Sequence, residues 1–168
     1  MKWDSIIRNL KGNSPEAVNH HFVFIEAPQE LVGPEIILWG EASWWPKECT
    51  MKFIRETPGE LKVGTRFKQK VLMPGAPSWD VEVTKLIPNQ EIERTFLNGI
   101  FMGKETVALE GRQNGTRVDY TMCYKIRGRL NGMLWPLVFE KMHDKNVGLI
   151  LSALKDFVIR KQKHLHDK

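Results

Sequence analysis

Residues 78–126, SWDVEVTKLIPNQEIERTFLNGIFMGKETVALEGRQNGTRVDYTMCYKI, decide the fold. Apolar and polar side chains alternate through four runs, separated by Pro88-Asn89, Asn98-Gly99 and Asn114-Gly115. Alternation at period two marks a half-buried strand. Asn-Gly between two such runs marks a hairpin, because a type I′ turn needs positive φ at both central residues. Three two-residue turns would set Val83 opposite Arg94 and Val81 opposite Phe96 in the first hairpin. The second would pair Phe96 with Phe101, Arg94 with Gly103 and Ile92 with Glu105. The third would pair Glu105 with Tyr124, Val107 with Met122 and Leu109 with Tyr120. One face then collects Trp79, Val81, Val83, Ile92, Phe96 and Phe101, and farther on Val107, Leu109, Val118, Tyr120, Met122, Tyr124 and Ile126. The other face receives Asp80, Glu82, Thr84, Glu91, Glu93, Lys104, Glu110, Arg117, Asp119, Thr121 and Lys125, with Glu93 across from Lys104. A slip of one residue would exchange the two faces. The sheet therefore has one covered and one wet face.

The cover is expected from the C-terminal segment. Phe139, Met142, His143, Asn146, Ile150, Ala153 and Phe157 recur at helical spacing, in a helix expected to start near 131–135 and to reach about Arg160. Upstream, HHFVFIEAP (20–28) reads as a strand stopped by Pro28, and 29–45 as short helices broken at Gly33-Pro34 and Gly40. Strands are expected without interruption from about 50 to 127. The fold class is α+β: a curved antiparallel sheet wrapped around one long C-terminal helix, with two short helices after the first strand. Residues 1–19 read as an N-terminal extension, 20–163 as a single domain, and 164–168 as a charged tail.

Composition narrows the function. The chain has 168 residues, 42% of them hydrophobic, enough for one core without disulfides or metals. Lys plus Arg exceed Asp plus Glu by 25 to 20, but the bases are scattered apart from Arg160, Lys161, Lys163 and Lys168. A specific nucleic-acid role is not expected. Cys49 and Cys123 have no C-x-x-C spacing and read as reduced thiols of a cytoplasmic protein. No apolar run has membrane-spanning length. Monomer and homodimer both remain open.

Several segments resemble the START-like helix-grip (SRPBCC) superfamily, and within it the polyketide cyclase/dehydrase-like branch. These are FIEAPQEL (24–31), SWWP (43–46), ELKVGTRFK (60–68), SWDVEVTKLIPNQEIERTF (78–96) and NGTRVDYTM (114–122). Together they span about residues 20–160. The resemblance implies a seven-stranded sheet gripping the terminal helix, with a hydrophobic ligand cavity between them. It leaves the chemistry open, since lipid carriers, hormone receptors and cyclases share the fold.

The covered face names the candidates. Arg94 and Glu105 fall among aromatics, within diagonal reach of each other, with Tyr124 opposite Glu105. Buried charges demand partners, so an Arg94–Glu105–Tyr124 cluster is expected. It would serve as a structural ion pair, as a ligand-orienting group, or, with His143, as acid and base on a carbonyl substrate. The expected ligand wall adds Trp45, Trp79, Val83, Phe96, Phe101 and Val107. It continues through Tyr120, Met122, Phe139, Met142, Asn146 and Ile150. Lys85 extends this face toward Pro88. No phosphate loop or nucleophile elbow is present, no cofactor is expected, and no three histidines or acids stand at metal-ligand spacing. Three readings follow: a carrier sequestering a small apolar or amphipathic molecule such as a lipid, polyketide, quinone or aromatic metabolite; a cyclase/dehydrase-like enzyme in the same cavity; and an interaction module whose aromatics fill the cavity.

Overall fold

The structure is a computed structural model that describes residues 17–128, 135 and 139–166. Its elements are β1 (Ala17–Ile25), α1 (Gln29–Ile37), β2 (Met51–Arg55), β3 (Arg66–Val71), β4 (Ser78–Ile87), β5 (Glu91–Phe96), β6 (Phe101–Arg112), β7 (Gly115–Ile126) and α2 (Glu140–His166). The strands form one seven-stranded sheet in the order β1-β7-β6-β5-β4-β3-β2, with every neighbouring pair antiparallel. Consecutive strands are neighbours from β2 to β7, as hairpin connections dictate, and only β1 crosses over to close the far edge against β7.

The division of side chains between two faces holds along β4–β7 apart from a bulge after Val83, and Asp119 of the expected wet face is 1% exposed where it pairs with His20 and Arg117. Val81, Val83, Ile92, Phe101, Val107 and Val118 are fully buried, whereas the alternate positions carry the charges. The pairing differs in detail. In the β5–β6 hairpin Arg94 stands opposite Glu105 and Ile92 opposite Val107, two residues from the expected register. Asn98 is drawn away from a tight turn, because its Oδ1 accepts the Asp80 backbone N–H (2.7 Å) and its amide donates to Asp80 Oδ2 (2.5 Å). Four residues, 97–100, therefore connect the strands. In the β6–β7 hairpin Arg112 pairs with Gly115, so the turn is Gln113-Asn114 and Glu105 faces Met122 rather than Tyr124. Gly115 belongs to the strand because β1 passes so close that a Cβ there would lie 2.2 Å from the Ile25 carbonyl oxygen. A slip of two residues keeps each side chain on its face.

A third difference is a bulge between Val83 and Lys85. It turns Lys85 to the wet face, where it is paired with Glu91 at 2.7 Å and does not extend the covered one. Glu93 and Lys104, expected face to face, are two residues out of register and still meet at 2.6 Å.

After β1 the chain makes a single helix and then turns, rather than two helices. Pro34 lies inside α1 without ending it. Val32 and Ile36 on its inner side are buried to 0% and 1% exposure, and this packing outweighs the hydrogen bond that proline forgoes. Buried Glu35 then ties α1 to the rest, accepting Trp44 Nε1 (3.0 Å) and Lys161 Nζ of α2 (2.8 Å). Strand β1 starts at Ala17, so it takes in residues 17–19 of the stretch expected as an extension. The expected helix start at 131–135 lies outside the described residues apart from Trp135. Helix α2 runs on to His166, past the expected end at Arg160. Its buried stripe is His143, Val147, Ile150, Leu154 and Val158, flanked by Asn146 and Leu151. Ala153 and Phe157 of the expected stripe are half-buried at its border. No described helix is long and apolar enough to cross a membrane.

Candidate functional site

The covered face holds a chain of polar side chains inside an aromatic shell. Arg94 on β5 and Glu105 on β6 are adjacent across the ladder and are 0% and 1% exposed, with Nη1 to Oε1 at 3.3 Å. Glu105 is surrounded by hydrogen-bond partners, whereas Arg94 bonds through Nη1 and its buried Nε and Nη2 have no hydrogen-bond partner among the described residues. The Arg94 guanidinium also lies over the rings of Phe53 (5.6 Å) and Phe67 (5.7 Å), whose negative faces favour a cation. Gln69 on β3 donates to Glu105 Oε1 (2.8 Å) and accepts the indole N–H of Trp79. On the other side, Tyr120 on β7 donates its hydroxyl to Glu105 Oε2 (3.2 Å) and meets His143 Nε2 of α2 at 3.3 Å. Since the phenol hydrogen is given to Glu105, His143 makes that bond as the donor through Nε2–H. The lone pair of the ring is then on Nδ1.

Burial dominates the electrostatics. It pushes the Glu105 carboxyl above the usual carboxylate range, against the opposing pull of Arg94 and the Gln69 and Tyr120 bonds. The Arg94 guanidinium is lowered by the same loss of water, and the adjacent carboxylate counteracts this. The Tyr120 hydroxyl is held well above its ordinary value by burial and by the negative charge of Glu105. Burial lowers His143 to about 4, so the imidazole is neutral at pH 7. The arrangement is a hydrogen-bonded sequence of carboxylate, phenol and neutral imidazole.

The structure joins Arg94, Glu105 and His143 of the expected site, but through Tyr120 and not Tyr124. Tyr124 faces another way, its oxygen accepting the Trp135 indole N–H at 2.9 Å. Between sheet and helix lies a cavity of about 10 Å³, room for one water, walled by Trp79, Met142, His143 and Asn146 together with Trp135 and Phe139. Met51, Val71 and Pro77 complete its rim. Most of the space is filled by rings: Trp39 stacks on Tyr120 at 6.0 Å, and Phe101 packs edge-on against Trp79 (4.8 Å) and Trp135 (4.7 Å). Of the expected ligand wall, Trp79, Phe139, Met142, His143 and Asn146 therefore line the cavity. Val83, Phe96, Phe101, Val107, Met122 and Ile150 are buried core behind it. Trp45 lies farther off, half-buried against Trp39 and Phe53, with its indole N–H given to the Met51 carbonyl (3.2 Å). The Asn146 amide is already engaged, accepting from Thr50 N (3.0 Å) and donating to Thr50 Oγ1 (2.8 Å).

Gln69 and Trp135 were missed by the sequence reading. Gln69 alternates with Phe67 and Val71 in RFKQKV, so the period-two pattern alone would have placed it inside. Trp135 carries no local signal. The expectation that no metal-ligating side chains converge is also corrected: His21, His143 and Asp144 bring ligand atoms within 4.8 Å of one another. His21 precedes the other two by 122 and 123 residues along the chain, which no spacing motif reveals.

Comparison with solved structures gives the same architecture. The Zhui aromatase/cyclase from Streptomyces superposes with a TM-score of 0.67 at 18% identity, over 86% of this chain and 94% of that one. A norcoclaurine synthase point mutant from Thalictrum flavum, in complex with a transition state analogue, gives 0.66 at 12% identity over 87% and 96%. A Thermus thermophilus protein gives 0.65 at 20% identity over 86% and 99%. No protein-family model matches the chain, and no curated protein sequence matches it.

Proposed function

We propose that this chain, which has the START-like helix-grip (SRPBCC) fold, binds one small apolar or amphipathic molecule between its sheet and α2. The observation that carries the reading is the cavity wall. Trp79, Trp135, Phe139 and Met142 supply apolar surface around His143, the one ionisable group there among the described residues, in the proportion usual for a ligand site. A cavity of about 10 Å³ admits no such ligand as it stands. Binding therefore requires Phe139, Met142 and the β3–β4 loop to move apart, and Leu72 and Met73 of that loop, which follow the lining residue Val71 and are 57% and 43% exposed, offer further apolar surface. A titration with 1-anilinonaphthalene-8-sulfonate tests this. Saturable fluorescence at one probe per chain, abolished in Met142→Trp, is expected. Absence of saturable binding by the folded protein refutes it.

A second reading is favoured by one observation, the hydrogen-bonded sequence Glu105–Tyr120–His143. It would make the same cavity the site of an acid–base reaction on a carbonyl ligand, with His143 next to the substrate and Glu105 holding the Tyr120 hydroxyl in place. Loss of turnover in Tyr120→Phe with ligand affinity retained would distinguish this enzyme from a carrier.

A further inference from the structure

The neutral imidazole of His143 has two edges, and the ligand reading uses only one. Its Nε2 is committed to Tyr120. Its Nδ1 is buried, without a hydrogen-bond partner among the described residues, and points toward the Asp144 carboxylate at 4.0 Å. Asp144 Oδ1 is also 3.1 Å from His21 Nε2 on β1 and 2.6 Å from the Asn19 amide nitrogen, which orients it. The Asn19 Oδ1 is a second buried atom with no partner among the described residues. A carboxylate, two imidazole nitrogens and an unpaired amide oxygen thus converge where β1 meets α2. Of these atoms His143 Nδ1 and Asn19 Oδ1 are out of water, and a buried lone pair there is costly unless a cation or a proton meets it.

We propose that His21 Nε2, His143 Nδ1 and Asp144 Oδ1 bind a divalent first-row transition-metal ion of the Zn²⁺ class. The donor set decides the class: two imidazoles with one carboxylate suit borderline metals, whereas Ca²⁺ and Mg²⁺ select oxygen ligands. The three donors span distances up to 4.8 Å, and tetrahedral coordination with bonds of about 2.0 Å brings ligands to about 3.3 Å. The side chains close inward by about 1.5 Å on the longest edge. The outer support expected of such a site is present. His143 donates its other nitrogen to Tyr120, itself held by Glu105, and Asn19 holds the carboxylate. His21 and Asp144 are 25% and 42% exposed, so an ion enters from solvent and keeps a coordination position open there.

The test uses the full chain, stripped with a chelator, dialysed, and titrated with ZnCl2 by calorimetry and with CoCl2 by visible absorption. One ion per chain at micromolar affinity or better, with a rise in Tm on Zn²⁺ addition, is the expected result. His21→Ala and Asp144→Asn, at partly exposed positions that leave the core intact, each weaken Zn²⁺ binding at least tenfold and abolish the Tm rise. His164→Ala removes a histidine of the C-terminal end of α2 and leaves both unchanged. The proposal is overturned if the folded wild-type chain takes up no Zn²⁺. It is equally overturned if uptake survives both His21→Ala and Asp144→Asn, or is lost in His164→Ala.

Discussion

Glu93 and Arg94 are neighbours in sequence and live in different media. Glu93 points to the wet face, where it meets Lys104 at 2.6 Å with the lysine 42% exposed. Arg94 points to the covered face, where it meets Glu105 at 3.3 Å with both side chains excluded from water. The outer pair gains little, because water already solvates each charge and salt screens them. The inner pair costs several kcal/mol of desolvation per ion and returns it only through the bonds to Gln69 and Tyr120 and the rings of Phe53 and Phe67. Removing one partner of the inner pair therefore costs more than removing one of the outer pair, although the outer distance is shorter.

The contrast is open to direct attack. Arg94→Leu strands Glu105 without a counter-ion, and a loss of about 3–5 kcal/mol in urea denaturation is expected. Adding Glu105→Leu to it should recover much of that loss. A fully retained Tm in the single variant would show that the pair is not buried as charges. Gly103→Ala comes next, at about 1–3 kcal/mol, since φ is 121° there and a Cβ would lie 2.1 Å from the Cys123 carbonyl oxygen. Tyr120→Phe removes the hydroxyl between Glu105 and His143, both more than nine-tenths buried, and should cost about 1–3 kcal/mol by thermal denaturation. Lys104→Ala is the smallest, at most about 1 kcal/mol and vanishing in high salt. If Lys104→Ala proved as harmful as Arg94→Leu, the distinction between the faces would fail.

The two-face assignment was legible from residues 78–126 because side-chain direction depends only on parity along a strand. The register was not, since the hairpin loops are set by contacts from elsewhere: Asn98 is taken by Asp80, and Gly115 is pressed by the end of β1. Both slips were by two residues, so Arg94 and Glu105 stayed inside and only their tyrosine changed, from Tyr124 to Tyr120. Lys85 was misplaced because a bulge leaves no mark in an alternating sequence. The stripe of α2 was found but turned toward one side, as Ala153 and Phe157 proved to be its border and Val147 and Leu154 its centre. The convergence of His21 with His143 and Asp144 is a property of β1 crossing to the far edge of the sheet, where it packs against the helix.

The central claim is that the space between the sheet and α2 receives a ligand. Native mass spectrometry of freshly purified wild-type protein beside Met142→Trp addresses it most directly. The account predicts a bound small apolar molecule on the wild-type chain, one per protein, and none on Met142→Trp. A wild-type chain that carries nothing, or a molecule that the tryptophan fails to displace, would contradict it.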